Sequence, residues 1–156
     1  MKLDGALTVA APIEEVWAVF MDPTRLCPAV PGCERVDQID ATHYDAVMAV
    51  KVQFMTVRAR AHGTLVEAEQ PRHLAVELVG EQIAMAGAFR ALLTVDLDTV
   101  DTGTHLVYTL DVTMLGRLAS LGEAMVRTTA RRQAEQFATN LAALFAGPPS
   151  DSATTR

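Results

Sequence analysis

Between residues 43 and 114 the apolar side chains fall on every second position, and between 117 and 145 they fall on every third or fourth. This change of period constrains the fold more than any other feature of the chain. Tyr44, Ala46, Met48, Val50 and Val52 alternate with His43, Asp45 and Lys51. Val57, Ala59, Ala61, Gly63 and Leu65 do the same, as do Leu74, Val76 and Leu78. The sets Phe89 to Leu97 and Leu106 to Met114 complete the pattern. Turn signals separate them at 69–72 (Glu-Gln-Pro-Arg) and 101–104 (Asp-Thr-Gly-Thr). Consecutive alternating segments with short turns are an antiparallel meander with one wet face.

The flanking segments complete the order of elements. Leu3, Gly5, Leu7 and Val9 alternate in a strand ahead of Pro12. Ile13, Val16, Trp17 and Phe20 then form a helical stripe, with Glu14 and Glu15 at its positive N-terminal end. Asp22-Pro23 ends that helix, and a second short helix is expected over 24–29, before the turn Pro31-Gly32. The helical period from 117 to 145 carries Leu118, Leu121, Met125, Thr129, Phe137, Leu141 and Leu144 on one side. Glu123, Arg127, Arg131 and Glu135 stand at i, i+4 steps on another face. A helix of that length would span roughly 43 Å. Gly147-Pro148-Pro149 stops it. The reading is one α+β domain, residues 1–146, with a flexible polar tail over 147–156. A curved antiparallel sheet of about seven strands wraps a long C-terminal helix, with two short helices after the first strand.

Composition decides what lies between sheet and helix. Half the residues are hydrophobic, yet the chain holds 25 alanines and only 8 residues of Phe, Trp and Tyr. Ala46, Ala59, Ala61, Gly63 and Ala91 all fall on the side facing the long helix, whereas Ala75 and Ala88 fall outward. Five small residues under a helix point to a void, and an apolar void stays dry or takes an apolar guest. The competing reading is a filled core.

Charge excludes other classes. A formal charge of −6 argues against nucleic acid, which requires a basic face. No run of 18 apolar residues crosses a membrane. The start, Met1-Lys2-Leu3-Asp4-Gly5, places an acid where a signal peptide is apolar. A cytoplasmic protein is expected, with at most peripheral contact at the inner membrane face. Whether it is a monomer or a dimer stays open.

No catalytic set emerges from the register. His43, His62, His73 and His105 all fall outward without metal-ligand spacing, so no metal or cofactor is expected. Cys27 and Cys33 are expected as small thiols packing a loop, with only Arg25 and Arg35 close in sequence to activate them. No phosphate-binding glycine motif exists. Arg131-Arg132 reads as a solvated helix face, with docking to an acidic partner as the alternative. The inward polar residues are Tyr44, Tyr108 and Thr129. Either tyrosine could orient a carbonyl through its hydroxyl, or simply sit in the core with the hydroxyl at the edge.

Several segments resemble the family of the carbon monoxide dehydrogenase G subunit. They are Met1-Lys2-Leu3-Asp4-Gly5 with Ala11-Pro12-Ile13-Glu14-Glu15-Val16-Trp17, and Asp22-Pro23-Thr24-Arg25-Leu26-Cys27 with Val30-Pro31-Gly32-Cys33-Glu34. The stretch Leu115-Gly116-Arg117-Leu118-Ala119-Ser120-Leu121-Gly122 is the third. The chain departs from the family pattern at Phe54-Met55 and Ala84-Met85-Ala86. The resemblance implies the helix-grip fold of the START and polyketide-cyclase-like (SRPBCC) superfamily, with a hydrophobic pocket. It also implies a non-catalytic accessory role beside a molybdenum–flavin–iron–sulfur hydroxylase, presenting a quinone- or lipid-like molecule. Trp17 and Phe20 are then expected at the mouth of the pocket. Tyr44, Met48, Ala59, Ala61, Phe89, Leu93, Tyr108 and Leu110 would line the sheet wall. Leu121, Met125, Thr129 and Phe137 would line the helix wall. The alternatives are a cyclase- or aromatase-like enzyme, which needs inward ionisable groups, and an assembly adaptor with a filled core.

Overall fold

The computed structural model describes residues 1–52, 54–83 and 87–146. Strand β1 (Lys2–Val9) leads into helices α1 (Ile13–Phe20) and α2 (Pro23–Leu26) and a 3-10 turn (Cys27–Ala29). Six strands follow: β2 (Cys33–Gln38), β3 (His43–Val52), β4 (Met55–Glu69), β5 (His73–Gln82), β6 (Gly87–Val100) and β7 (Gly103–Gly116). A second 3-10 turn (Arg117–Leu121) leads to α3 (Glu123–Ala146). The seven strands form one antiparallel sheet in the order β1-β7-β6-β5-β4-β3-β2. Only β1 leaves sequence order, pairing with β7 across the far edge. This is the helix-grip α+β arrangement expected from the change of period. The expected tail, 147–156, and the Ala84-Met85-Ala86 departure lie outside the described residues.

Local chemistry sets the element ends. Pro12 holds an extended conformation ahead of α1, and Glu14 and Glu15 occupy its first turn. The Asp22 carboxylate accepts the Thr24 N–H at 3.1 Å, capping α2. The expected second helix is therefore split: α2 starts at Pro23, and Cys27–Ala29 continues as a 3-10 turn. Register shifts at Cys33/Arg35 and Leu65/Glu67 are bulges, which bend strands and add to the curvature of the sheet. Thr104, fully buried, donates its hydroxyl to the Ala11 carbonyl at 2.7 Å and locks the start of β7 to the corner between β1 and α1.

The long helix is shorter than its periodicity suggests. Gly122, at φ +83°, adopts a left-handed conformation that L side chains rarely take, so the helix cannot run through it. The stretch from Arg117 winds as a separate 3-10 turn, and α3 has 24 residues, about 36 Å. Leu144, placed on the apolar stripe by spacing, is exposed. Among the described residues no ion pair joins Glu123, Arg127, Arg131 and Glu135; Arg127 instead donates to the Lys2 carbonyl.

Two core features depart from the sequence reading. Cys27 and Cys33 are not free thiols but a disulfide. The spacing of six leaves room for a turn that returns the chain on itself, and the turn of Cys27–Ala29 with Gly32 does this. Ala75, on the outward register opposite Glu67 and Thr94, is buried. The apolar core gathers at one end of the sheet: Val9, Val16, Trp17, Val19, Leu74, Val95, Leu97, Leu106 and Leu141.

Candidate functional site

The candidate site lies between the concave face of the sheet and α3. Directly opposed residues of an antiparallel pair share a face, so the register places the inward residues row by row. Ala46, Ala61 and Gly80 stand side by side on β3, β4 and β5, followed by Phe89 on β6. The next row runs Tyr44, Gly63, Leu78, Ala91. In the first of these rows, three strands in succession therefore offer nothing larger than a methyl group.

The three inward aromatics of the sheet share one device. Tyr44 is paired with Gly63, Phe89 with Gly80, and Tyr108 with Gly5. At two of these pairs the ring occupies the space that a side chain on the glycine would need. A methyl group on Gly5 would meet Tyr108 Cζ at 2.6 Å, and one on Gly80 would meet Phe89 Cδ2 at 2.8 Å. Both rings thus lean across the neighbouring strand instead of standing toward the helix.

Helix α3 lies across the sheet, with Leu141 in the same core cluster as Leu74, Val95, Leu97 and Leu106 of the central strands. Its close approaches run to β1 on one side and to the Cys27–Ala29 turn and β3 on the other. Gln133 donates to the Pro31 carbonyl at 2.9 Å and Asn140 to the Ala29 carbonyl at 3.0 Å. These bonds tie α3 to the segment between α2 and β2.

Solvent access separates two halves of this space. Val95, Leu97, Leu106 and Leu141 are at most 2% exposed. Met48, Leu78, Phe89, Ala91, Leu93, Leu110, Met125 and Thr129 point into the same space but are only partly buried.

The expected site residues divide accordingly. Tyr44, Met48, Ala59, Ala61, Phe89, Leu93, Tyr108 and Leu110 share the concave face, with Ala59 and Ala61 buried and the others partly so. Met125, Thr129 and Phe137 are on α3 and partly buried; Leu121 belongs to the 3-10 turn before it. Phe20 packs edge-on against Phe137 with ring centroids 6.3 Å apart. Trp17 is not at a mouth: it is 6% exposed, inside the sealed core. Two inward polar groups escaped the sequence reading. Gln82 lies opposite Ala59, with its side-chain oxygen buried. Gln133 continues the i, i+4 series from Thr129 to Phe137 and could have been found from it.

Burial pushes the Tyr108 hydroxyl above its ordinary pKa, with Asp4 adding to the effect, and burial with Asp40 does the same for Tyr44. Both stay protonated and able to donate near neutral pH. All four histidines find polar partners instead of a shared site. His43 pairs with Asp40, His62 with Asp45, His73 with Glu67 and Asp96, and His105 with Thr8. Among the described residues no group of three potential ligands could hold a metal ion. An outer groove of about 240 Å³ between β2, β3 and β4 is lined by Arg35, Asp37, Asp45, Arg60 and His62. Four of these five are already paired, Arg35 with Asp37 and His62 with Asp45.

The family described as the carbon monoxide dehydrogenase G subunit (CoxG) matches residues 5–145. The chain belongs to the CoxG family. No curated protein matches it. Among solved structures, a conserved protein from Geobacillus kaustophilus is similar at a TM-score of 0.84 and 23% identity, covering 94% of this chain and 95% of that one. An aromatase/cyclase from Streptomyces sp. R1128 superposes at 0.70 with 16% identity and 99% of both chains covered. A protein from Chromobacterium violaceum gives 0.72 and 17%, covering 94% of this chain and 98% of that one. At these identities the likeness shows the shared fold. No helix among the described residues is long and apolar enough to cross a membrane.

Proposed function

We propose that this CoxG-family chain holds an apolar small molecule between the central strands and α3 and carries out no chemistry on it. The observation that supports this reading is the central row of small residues, Ala46, Ala61 and Gly80, on the concave face, with inward side chains around it that are only partly buried. An apolar space of this kind binds through shape and a few orienting polar groups. Tyr108, Tyr44 and Thr129 are suited to that role, since a protonated phenol or hydroxyl can donate to a carbonyl. The family's description supports an accessory role beside an enzyme of the carbon monoxide dehydrogenase type; in this reading that enzyme is a molybdenum–flavin–iron–sulfur hydroxylase and the guest is quinone- or lipid-like.

The likeness to an aromatase/cyclase favours a second reading, an enzyme of that class. General acid–base work requires an ionisable group within reach of the reacting atoms. Among the described residues the inward rows supply tyrosines, a threonine and glutamines, and no carboxylate, histidine, lysine or arginine. Purification of the full chain without detergent, followed by organic extraction and mass spectrometry, tests the binding reading. A stoichiometric quinone- or lipid-like molecule is expected. Absence of any copurifying or titratable hydrophobe overturns it and leaves an assembly adaptor.

A further inference from the structure

The disulfide Cys27–Cys33 encloses the segment on which α3 rests. Both backbone acceptors used by the helix lie inside that loop: Ala29 takes the Asn140 amide and Pro31 takes the Gln133 amide. The loop is otherwise joined to the sheet at one side. Gly32, at φ +85°, lies so close to β3 that an added methyl would strike the Ala49 carbonyl, and the Ala49 N–H donates to Gly32 at 2.8 Å. On the Cys27 side the tie is to α2, through the Cys27 N–H to the Pro23 carbonyl, while Val30 N–H to Cys27 carbonyl, 3.0 Å, is internal to the loop. Both cysteines are only partly buried, so a reductant can reach them.

We infer that the Cys27–Cys33 pair is a redox-responsive latch for the long helix. Oxidised, it holds residues 27–33 as a preformed seat for Gln133 and Asn140. A dithiol reductant attacks one sulfur, forms a mixed disulfide, and leaves as its own disulfide. Two electrons and two protons pass to Cys27 and Cys33, which become thiols. The Cys27 side of the seat then loses its covalent link to the β2 side and keeps only its attachment through α2 and the loop's own packing, so the flank under α3 loosens.

Hydrogen exchange on the full chain, oxidised and after dithiothreitol, tests the latch without any ligand. The expected result is about tenfold faster exchange in α3 around residues 133–141 on reduction, with β6 and β7 unchanged. C27S/C33S should match the reduced protein. Gln133→Ala with Asn140→Ala should show the fast helix even when oxidised, and dithiothreitol should add nothing. Equal protection of α3 in both redox states overturns the proposal. So does a loss of protection spread evenly through the sheet, a Q133A/N140A protein that still responds, or free thiols in the air-oxidised chain. The consequence for the cavity is read separately, as release of 1-anilinonaphthalene-8-sulfonate. If α3 responds to reduction but no probe binds, the latch stands and the binding reading fails.

Discussion

Along β6 one inward face serves two regimes. Val95 and Leu97 are sealed against solvent, whereas Phe89, Ala91 and Leu93 on the same face stay partly accessible. The same split recurs on β5, where Leu74 is sealed and Leu78 is not, and on α3, where Leu141 is sealed and Met125 is not. The alternation of the strands is identical in both halves. The difference comes from what is brought against them. At one end α1 inserts Val16, Trp17 and Val19 and completes a close-packed core. At the other, small residues such as Ala46, Ala61 and Gly80 line the row, and the Phe89 ring leans over Gly80. The largest fully buried side chains are thus concentrated at one end.

Substitutions in the two halves should break apart in denaturant melts. Leu106→Ala, in the sealed half, should cost about 3 to 4 kcal/mol, because neighbours there cannot collapse into the cavity. Met125→Ala should cost about 1 kcal/mol, since part of its surface already meets solvent. Equal losses would erase the distinction. Removing the disulfide by Cys27→Ser with Cys33→Ser should lower stability by about 2 kcal/mol, the usual size for a short loop.

Gly80→Ala sharpens the comparison from the other side. The new methyl must push the Phe89 ring, at a cost of about 1 to 2 kcal/mol, and the displaced ring has only the open half to enter. Apolar probe binding should therefore weaken together with stability. Gly63→Ala, whose methyl would meet Leu78 Cδ2 at 3.3 Å, should be milder on both counts. Calorimetric melts and probe titrations on the two variants check this.

The smallest effect lies on the outer face. His73 sits between the carboxylates of Glu67 and Asp96, and these hydrogen bonds raise its pKa above the ordinary 6.5. The folded state holds this proton more tightly than the unfolded one. The contribution is complete below pH 6.5 and is lost as pH rises through the raised value. His73→Gln should flatten that part of the pH–stability curve and leave probe binding untouched.

Much of the architecture was legible because period and face are coupled. Inward Ala59, Ala61, Val95 and Leu106 all follow from alternation in the sequence, as does the outward placement of the histidines. The seal at Trp17 was not legible, since a helical stripe does not say which end of a sheet it closes. Gly122 hid the break before α3 because its neighbours continue the helical spacing. The disulfide was invisible because only the folded turn brings Cys27 to Cys33. The pairing of Tyr108 with Gly5 and Phe89 with Gly80 depends on register between strands, which single-strand alternation does not contain.

Titration of the full chain with 1-anilinonaphthalene-8-sulfonate, wild type against Gly80→Ala, tests the unfilled half most directly. The account predicts saturable one-to-one binding in the wild type and at least about tenfold weaker binding in the variant, a difference of about 1.4 kcal/mol. Absence of saturable binding, or equal affinity in a folded variant, would contradict it.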